Sequence, residues 1–248
     1  MKRPLLAALA CALSAITLAP TSANAAAPAA SDPVVVVAGL FGPAFFYEPL
    51  AARFRAGGTE AFVFQLTDIG TGDIANTAED LASFVDGVRA ETGAAKVDLV
   101  AHSEGGLVSR QYIRYEGGAS TVDSLVTLGT PNYGTAVANI LDFIGAGNCL
   151  GIIACQQMAI GSDFLATLNA GDDTIGSVRY TNIYTALDEL VRPVENAALR
   201  DGATNVLTQS QCPFRVIEHL NLALDGTVFD GIRDTLRGEP VRLNCFAV

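Results

Sequence analysis

Histidine is almost missing from this sequence: only His102 and His219 occur in 248 residues. So little imidazole offers a transition metal few ligands. The cysteines do not compensate, because none stand in the C-x2-C spacing of a zinc site. We therefore expect no metal and no cofactor. Basic residues are also few, 15 Lys and Arg against 26 Asp and Glu, for a formal charge of −11. Nucleic acids and anionic membranes attract basic patches, so neither is an expected partner. Beyond the first thirty residues no run of 18 apolar residues occurs, which argues against stable membrane insertion. Internal repeats, heptads and a second domain are missing as well.

What is present begins with a leader. Lys2 and Arg3 precede an apolar stretch from Leu5 to Leu18 and an A-x-A site at Ala23-Asn24-Ala25. This pattern predicts a secretory signal peptide over 1–25, cut near Ala25, and an extracellular or periplasmic protein. A flexible lead-in (26–32) and a single domain (33–248) follow. Cleavage leaves about 223 residues and takes the formal charge to about −13. The four cysteines that remain, Cys149, Cys155, Cys212 and Cys245, are an even set in a secreted chain, which implies two disulfides with three possible pairings.

Continuous apolar runs alternate with helical patterns. "VVVVAGL" (34–40), "AFVFQL" (61–66), "KVDLVA" (96–101), "VDSLVTL" (122–128) and "SVRYTNIYT" (177–185) read as strands. Ile74, Ala78, Leu81, Val85 and Val88 step along one helical face that ends before Gly93. Val228, Ile232 and Leu236 do the same near the end. The alternation predicts an α/β fold, a mostly parallel sheet with helices on both faces, whose chemistry sits on loops at the carboxyl ends of strands.

One such loop carries "VAHSEGGLVSR" (100–110): a strand, a serine in a turn, then a helix. A nucleophile elbow requires that context. Ser103 is the candidate nucleophile, with Ala101 in place of the usual first glycine, and Gly105 and Gly106 permit close packing of helix on strand. A serine hydroxyl needs a base. His102 is its immediate neighbour on the strained turn, where its ring should point away, so His219 is the candidate base. Asp188 follows the strand "YTNIYT" and is the best candidate to orient that histidine, with Glu189 as the alternative. Oxyanion donors are expected from the backbone N–H of Glu104 and of Leu40 in the loop "AGLFGP", with Phe41 second to Leu40.

The blocks "VVVVAGLFG", "VDLVAHSEGGLVSR", "LGTPNYGT", "YTALDELVRP" and "EHLNLALD", in this order, resemble the secreted bacterial triacylglycerol lipases of the class 2 lipase family. The resemblance covers residues 33–248. It implies an α/β-hydrolase fold, cleavage of lipid esters through an acyl-enzyme, a Ser103–Asp188–His219 triad, and oxyanion donors at Leu40 and Glu104. The chain departs from the family at Ala38-Gly39, where many members have His-Gly, and at Glu104, where they often have Gln or Met. Two alternatives stay open: an esterase for short soluble esters or polyesters, and a non-catalytic binding protein on the same fold. Retention of Ser, Asp and His in the correct order argues against the latter. The expected pairings are Cys149–Cys155, a short local loop, and Cys212–Cys245, which the resemblance also suggests.

Residues 134–173 fit no single element and read as an insertion over the active site. Within it, "NILDFIGAGNCLGIIACQQM" is apolar. It is either a helix packed on the sheet or a wall of an acyl pocket formed by Leu141, Phe143, Ile144, Leu150, Ile152 and Ile153, with Phe41 opposite. The lipid ester is the expected partner, with transient contact at a lipid–water interface.

Overall fold

The computed structural model describes residues 31–145 and 147–248. The expected signal peptide and most of the lead-in lie outside the described residues, as do the side chains of Ile140, Asp142, Phe143 and Ile144. Six strands, β1 (Val34–Val37), β2 (Ala61–Phe64), β3 (Val97–His102), β4 (Val122–Leu128), β5 (Arg179–Tyr184) and β6 (Thr204–Leu207), form one sheet. Their order is β2-β1-β3-β4-β5-β6, and every pair is parallel. β1 and β3 are buried along their whole length because helices cover both faces. β6 was not foreseen. It is a short edge strand, Thr-Asn-Val-Leu, in which only Val206 is fully buried, so no apolar run marks it.

The helices in chain order are α1 (Ala44–Ala56), α2 (Ile74–Thr92), α3 (Glu104–Tyr115), α4 (Gly118–Thr121), α5 (Ala136–Ile144), α6 (Ile153–Gln157), α7 (Asp163–Leu168), α8 (Thr208–Gln211) and α9 (Gly226–Leu236). All five apolar positions expected on the α2 face are buried. Its Asp73 cap accepts from the N–H groups of Ala75 and Asn76, and Gly93 ends it in the left-handed region at φ 72°. α1 escaped the sequence reading because Pro49 interrupts its pattern, although Tyr47, Leu50, Ala51 and Phe54 are buried at helical spacing.

Sheet order reverses direction after β2, since β1 pairs with both β2 and β3. Right-handed crossovers then put α1 on one face and α2 and α3 on the other. α9 returns to the face of α1, where Phe229 meets Phe54 edge-on at 5.1 Å. The β4–β5 connection holds α5, α6 and α7 in place of one crossover helix. Both disulfides have the expected pairing: Cys149–Cys155 closes the turn into α6, and Cys212–Cys245 ties the end of α8 to the C-terminal segment. The reversal brings the carboxyl ends of β1 and β3 side by side, the place where open α/β sheets hold their ligands.

Candidate active site

Ser103 joins β3 to α3 with φ 55° and ψ −125°, a conformation strained for any residue with a side chain. Its surroundings fix it there. The Ser103 N–H donates to the Leu128 carbonyl at 2.9 Å, and its carbonyl accepts from Thr130 Oγ1 at 2.8 Å. The two glycines that follow are required by close approach. A Cβ on Gly105 would lie 2.2 Å from the Ala38 carbonyl oxygen, and one on Gly106 would lie 1.9 Å from Thr130 Oγ1.

The loops after β5 and before α9 bring Asp188 and His219 to this serine. His219 Nε2 stands 2.9 Å from Ser103 Oγ, and His219 Nδ1 stands 2.8 Å from Asp188 Oδ2. Asp188 Oδ1 accepts from the N–H groups of Leu190 at 2.9 Å and Val191 at 2.7 Å, so both carboxylate oxygens are engaged. A carboxylate only accepts, so Nδ1 carries the ring proton and Nε2 is left free to accept from the serine. Both side chains are buried. Glu189 takes a different position: its Oε2 accepts the backbone N–H of His219 at 3.1 Å, while Asp188 meets the ring.

His102 points away from the serine. Its Nδ1 is 2.9 Å from Tyr47 Oη and its Nε2 is 3.0 Å from the His219 carbonyl oxygen. In the loop after β1, the Phe41 N–H donates to the Ile69 carbonyl at 2.8 Å and is therefore occupied. Among the described residues no acceptor meets the N–H of Leu40 or of Glu104. The Glu104 side chain is fully buried, and neither of its oxygens has a hydrogen-bond partner among the described residues. Burial raises its carboxyl well above the ordinary value.

A cavity of about 230 Å³ opens over Ser103 and His219. Phe41 and Leu141 line it, together with Leu40, Val137, Ala138, Met158, Leu190, Val191 and Leu220. Three expected wall residues lie elsewhere. Leu150 and Ile153 face solvent, and Ile152 is half-buried against the core. Leu150 sits at positive φ next to Cys149 in the disulfide turn, which directs this stretch outward. The inner wall comes instead from the first turns of α5 and from Cys155 and Met158 at α6. Phe143 and Ile144 lie in the undescribed set.

Two residues at the site carry no sequence signal that distinguished them. Tyr47 lies on the unread helix α1. Gly129, at the end of β4, has φ 58°, and a Cβ there would lie 3.1 Å from Asp188 Oδ2 and 3.2 Å from His219 Nδ1. In "LGTPNYGT" it reads as one more turn glycine.

The family described as Lipase (class 2) matches residues 31–228. The chain belongs to the class 2 lipase family. It is 29% identical over 178 residues to a triacylglycerol lipase of Burkholderia plantarii, covering 66% of this chain and 49% of that protein. The chain thus spans about half the length of the curated relatives it matches. Among solved structures, the mature form of Bacillus licheniformis lipase BlEst2 superposes with a TM-score of 0.68 at 18% identity, covering 84% of this chain and 93% of that one. Lipase B of Aspergillus fumigatus gives 0.71 at 18% identity, covering 86% and 54%. These likenesses show the α/β-hydrolase fold.

Proposed function

We propose that this class 2 lipase-family protein hydrolyses carboxylic esters of lipids through an acyl-enzyme. The observation that carries the reading is the unbroken Ser103–His219–Asp188 hydrogen-bond chain facing an apolar cavity. In this reading His219 Nε2 takes the Ser103 proton as Oγ attacks the ester carbonyl, and then returns it to the leaving alcohol. Asp188 holds the tautomer and stabilises the imidazolium. The free N–H groups of Leu40 and Glu104 receive the oxyanion, the latter at the positive end of α3. Water then repeats the sequence to release the acid.

The cavity supports an acyl chain as the group recognised. Each buried CH2 contributes roughly 0.8 kcal/mol, so octanoate esters should be preferred to acetate. Phe41, Leu141, Leu190 and Leu220 line the cavity and are also exposed, which fits transient contact with a lipid surface. Triacylglycerols, the substrate class in the name of the Burkholderia relative, suit such a site. Two disulfides are consistent with an oxidising compartment, and we propose secretion after cleavage near Ala25.

A serine-directed fluorophosphonate should label Ser103. Ser103→Ala should abolish ester hydrolysis in a folded protein, and His219→Ala should lower the rate by about 10⁴ to 10⁶. An unlabelled Ser103 would favour the non-catalytic binding reading. A preference for acetate over octanoate would favour an esterase of short soluble esters.

A further inference from the structure

Besides Ser103 at Nε2 and the Leu222 N–H, which donates to its carbonyl at 3.3 Å, three side chains hold His219. Asp188 holds its ring and Glu189 its backbone N–H, and the third hold, on its carbonyl, comes from the ring of His102. That carbonyl only accepts, so His102 Nε2 must carry the proton, and His102 Nδ1 must accept from the Tyr47 hydroxyl at 2.9 Å. The Tyr47 oxygen in turn accepts the N–H of Gly39 at 2.9 Å. One directional chain therefore runs from the loop after β1, through Tyr47 and His102, to the backbone of His219. All its bonds are buried, where an unmade hydrogen bond is costly.

We propose that His102 is a positioning residue for the hydrolysis assigned to this site, holding His219 by its carbonyl and coupling that hold through Tyr47 to the loop that carries the Leu40 N–H. This inference rests on the proposed serine-hydrolase reading. The geometry explains why an imidazole suits position 102. It offers a donor and an acceptor on opposite sides of one rigid ring, and both are used. Its ring centroid lies 4.9 Å from that of His219, so it must stay neutral when His219 becomes an imidazolium. Burial, with His219 adding to it, pushes His102 down to about 3, which keeps it neutral over the working range. Burial also pushes Tyr47 up to about 12, so its hydroxyl proton remains available to His102. Residue 219 lies in the loop between Cys212, which is tied to Cys245, and α9. It begins the short turn Leu220–Ala223, whose backbone bond to the His219 carbonyl is long at 3.3 Å, and the side-chain contacts fix it against Ser103.

The test is steady-state hydrolysis of a soluble p-nitrophenyl ester, with competent sites counted by fluorophosphonate labelling. His102→Leu should lower kcat per labelled site by about 10²-fold with KM changed less than about threefold, the signature of a misplaced base. His102→Gln restores a donor near the Nε2 position and should recover at least about tenfold of that loss. Tyr47→Phe removes one oxygen without opening a cavity and reads the same chain if His102→Leu does not fold; its expected loss in kcat is about tenfold. The inference is overturned by unchanged kcat per labelled site in His102→Leu or Tyr47→Phe, or by a His102→Gln variant as slow as His102→Leu. A wild-type protein that takes up no label at Ser103 would overturn the hydrolase reading itself, and this inference with it. That outcome is distinct because it shows in the unsubstituted chain.

Discussion

The loop after β5 and the first turn of α3 each bury a carboxyl in the region around Ser103, and they treat it in opposite ways. Asp188 is engaged on both oxygens, by the N–H groups of Leu190 and Val191 and by the His219 ring. Glu104 is equally buried, yet both its oxygens lack partners among the described residues. Burial without donors penalises the charged form of a carboxyl. Donors distinguish the two: both Asp188 oxygens are hydrogen-bonded, whereas Glu104 has no donor among the described residues and is pushed toward the neutral acid by burial alone. Two acids of similar depth therefore sit in different settings, one against the His219 ring and the other beneath the loop after β1. A Cβ added to Gly70 of that region would meet Glu104 Oε2 at 2.7 Å.

The sharpest way to break this comparison is to remove the charge at Asp188 while keeping its shape. Asp188→Asn presents an amide where Nδ1 needs an acceptor and favours the wrong tautomer of His219. We expect kcat to fall by about 10⁴ with little change in fold. Glu189→Gln keeps an acceptor for the His219 N–H and should lose about tenfold at most. If activity survives Asp188→Asn and collapses in Glu189→Gln, the orienting role belongs to Glu189.

The loop that carries the partner of Asp188 should also depend on its covalent tie. Chain-entropy estimates give about 3.8 kcal/mol for Cys212–Cys245, separated by 33 residues, and about 2.4 kcal/mol for Cys149–Cys155, separated by 6. Urea unfolding of Cys→Ala double variants should show the larger loss for Cys212/Cys245, accompanied by a lower kcat. An equal loss for both pairs would mean that loop length does not govern their contribution.

Much of this arrangement is legible in the sequence, for physical reasons that differ by element. β1 and β3 are buried on both faces, and runs such as Val34–Val37 and Val97–Ala101 announce that. The elbow is marked by Ser103 with Gly105 and Gly106, because only glycine tolerates the approach of Ala38 and Thr130. Scarcity made His219 conspicuous. Other parts left no such mark. β6 is a polar edge strand, and α1 contains a proline. Tyr47 acts through one hydroxyl and follows no motif. Leu150, Ile152 and Ile153 lie off the cavity because hydrophobicity does not say which way a disulfide-bound turn faces: the stretch around Cys149 turns Leu150 and Ile153 outward, and Ile152 packs partly against the core.

The smallest predicted effect isolates Glu104. Its folded-state carboxyl is raised by burial above the ordinary value of 4.5, so the native protein binds its proton more tightly than the unfolded chain does. The stability linked to that proton is fully present below about pH 4.5 and is lost as pH rises toward the folded-state value, by about 1.4 kcal/mol per pH unit within that window. Glu104→Met keeps an unbranched side chain of similar length, removes the titration and leaves no polar atom unpartnered. Replacing an unsatisfied buried polar group in this way should stabilise by about 1–3 kcal/mol, and the gain should be larger at pH 8 than at pH 4. Urea midpoints of the two proteins at both pH values measure the difference directly. A variant less stable than the parent at pH 8, or a gain identical at the two pH values, would show that Glu104 finds donors in solution and that the contrast with Asp188 does not hold.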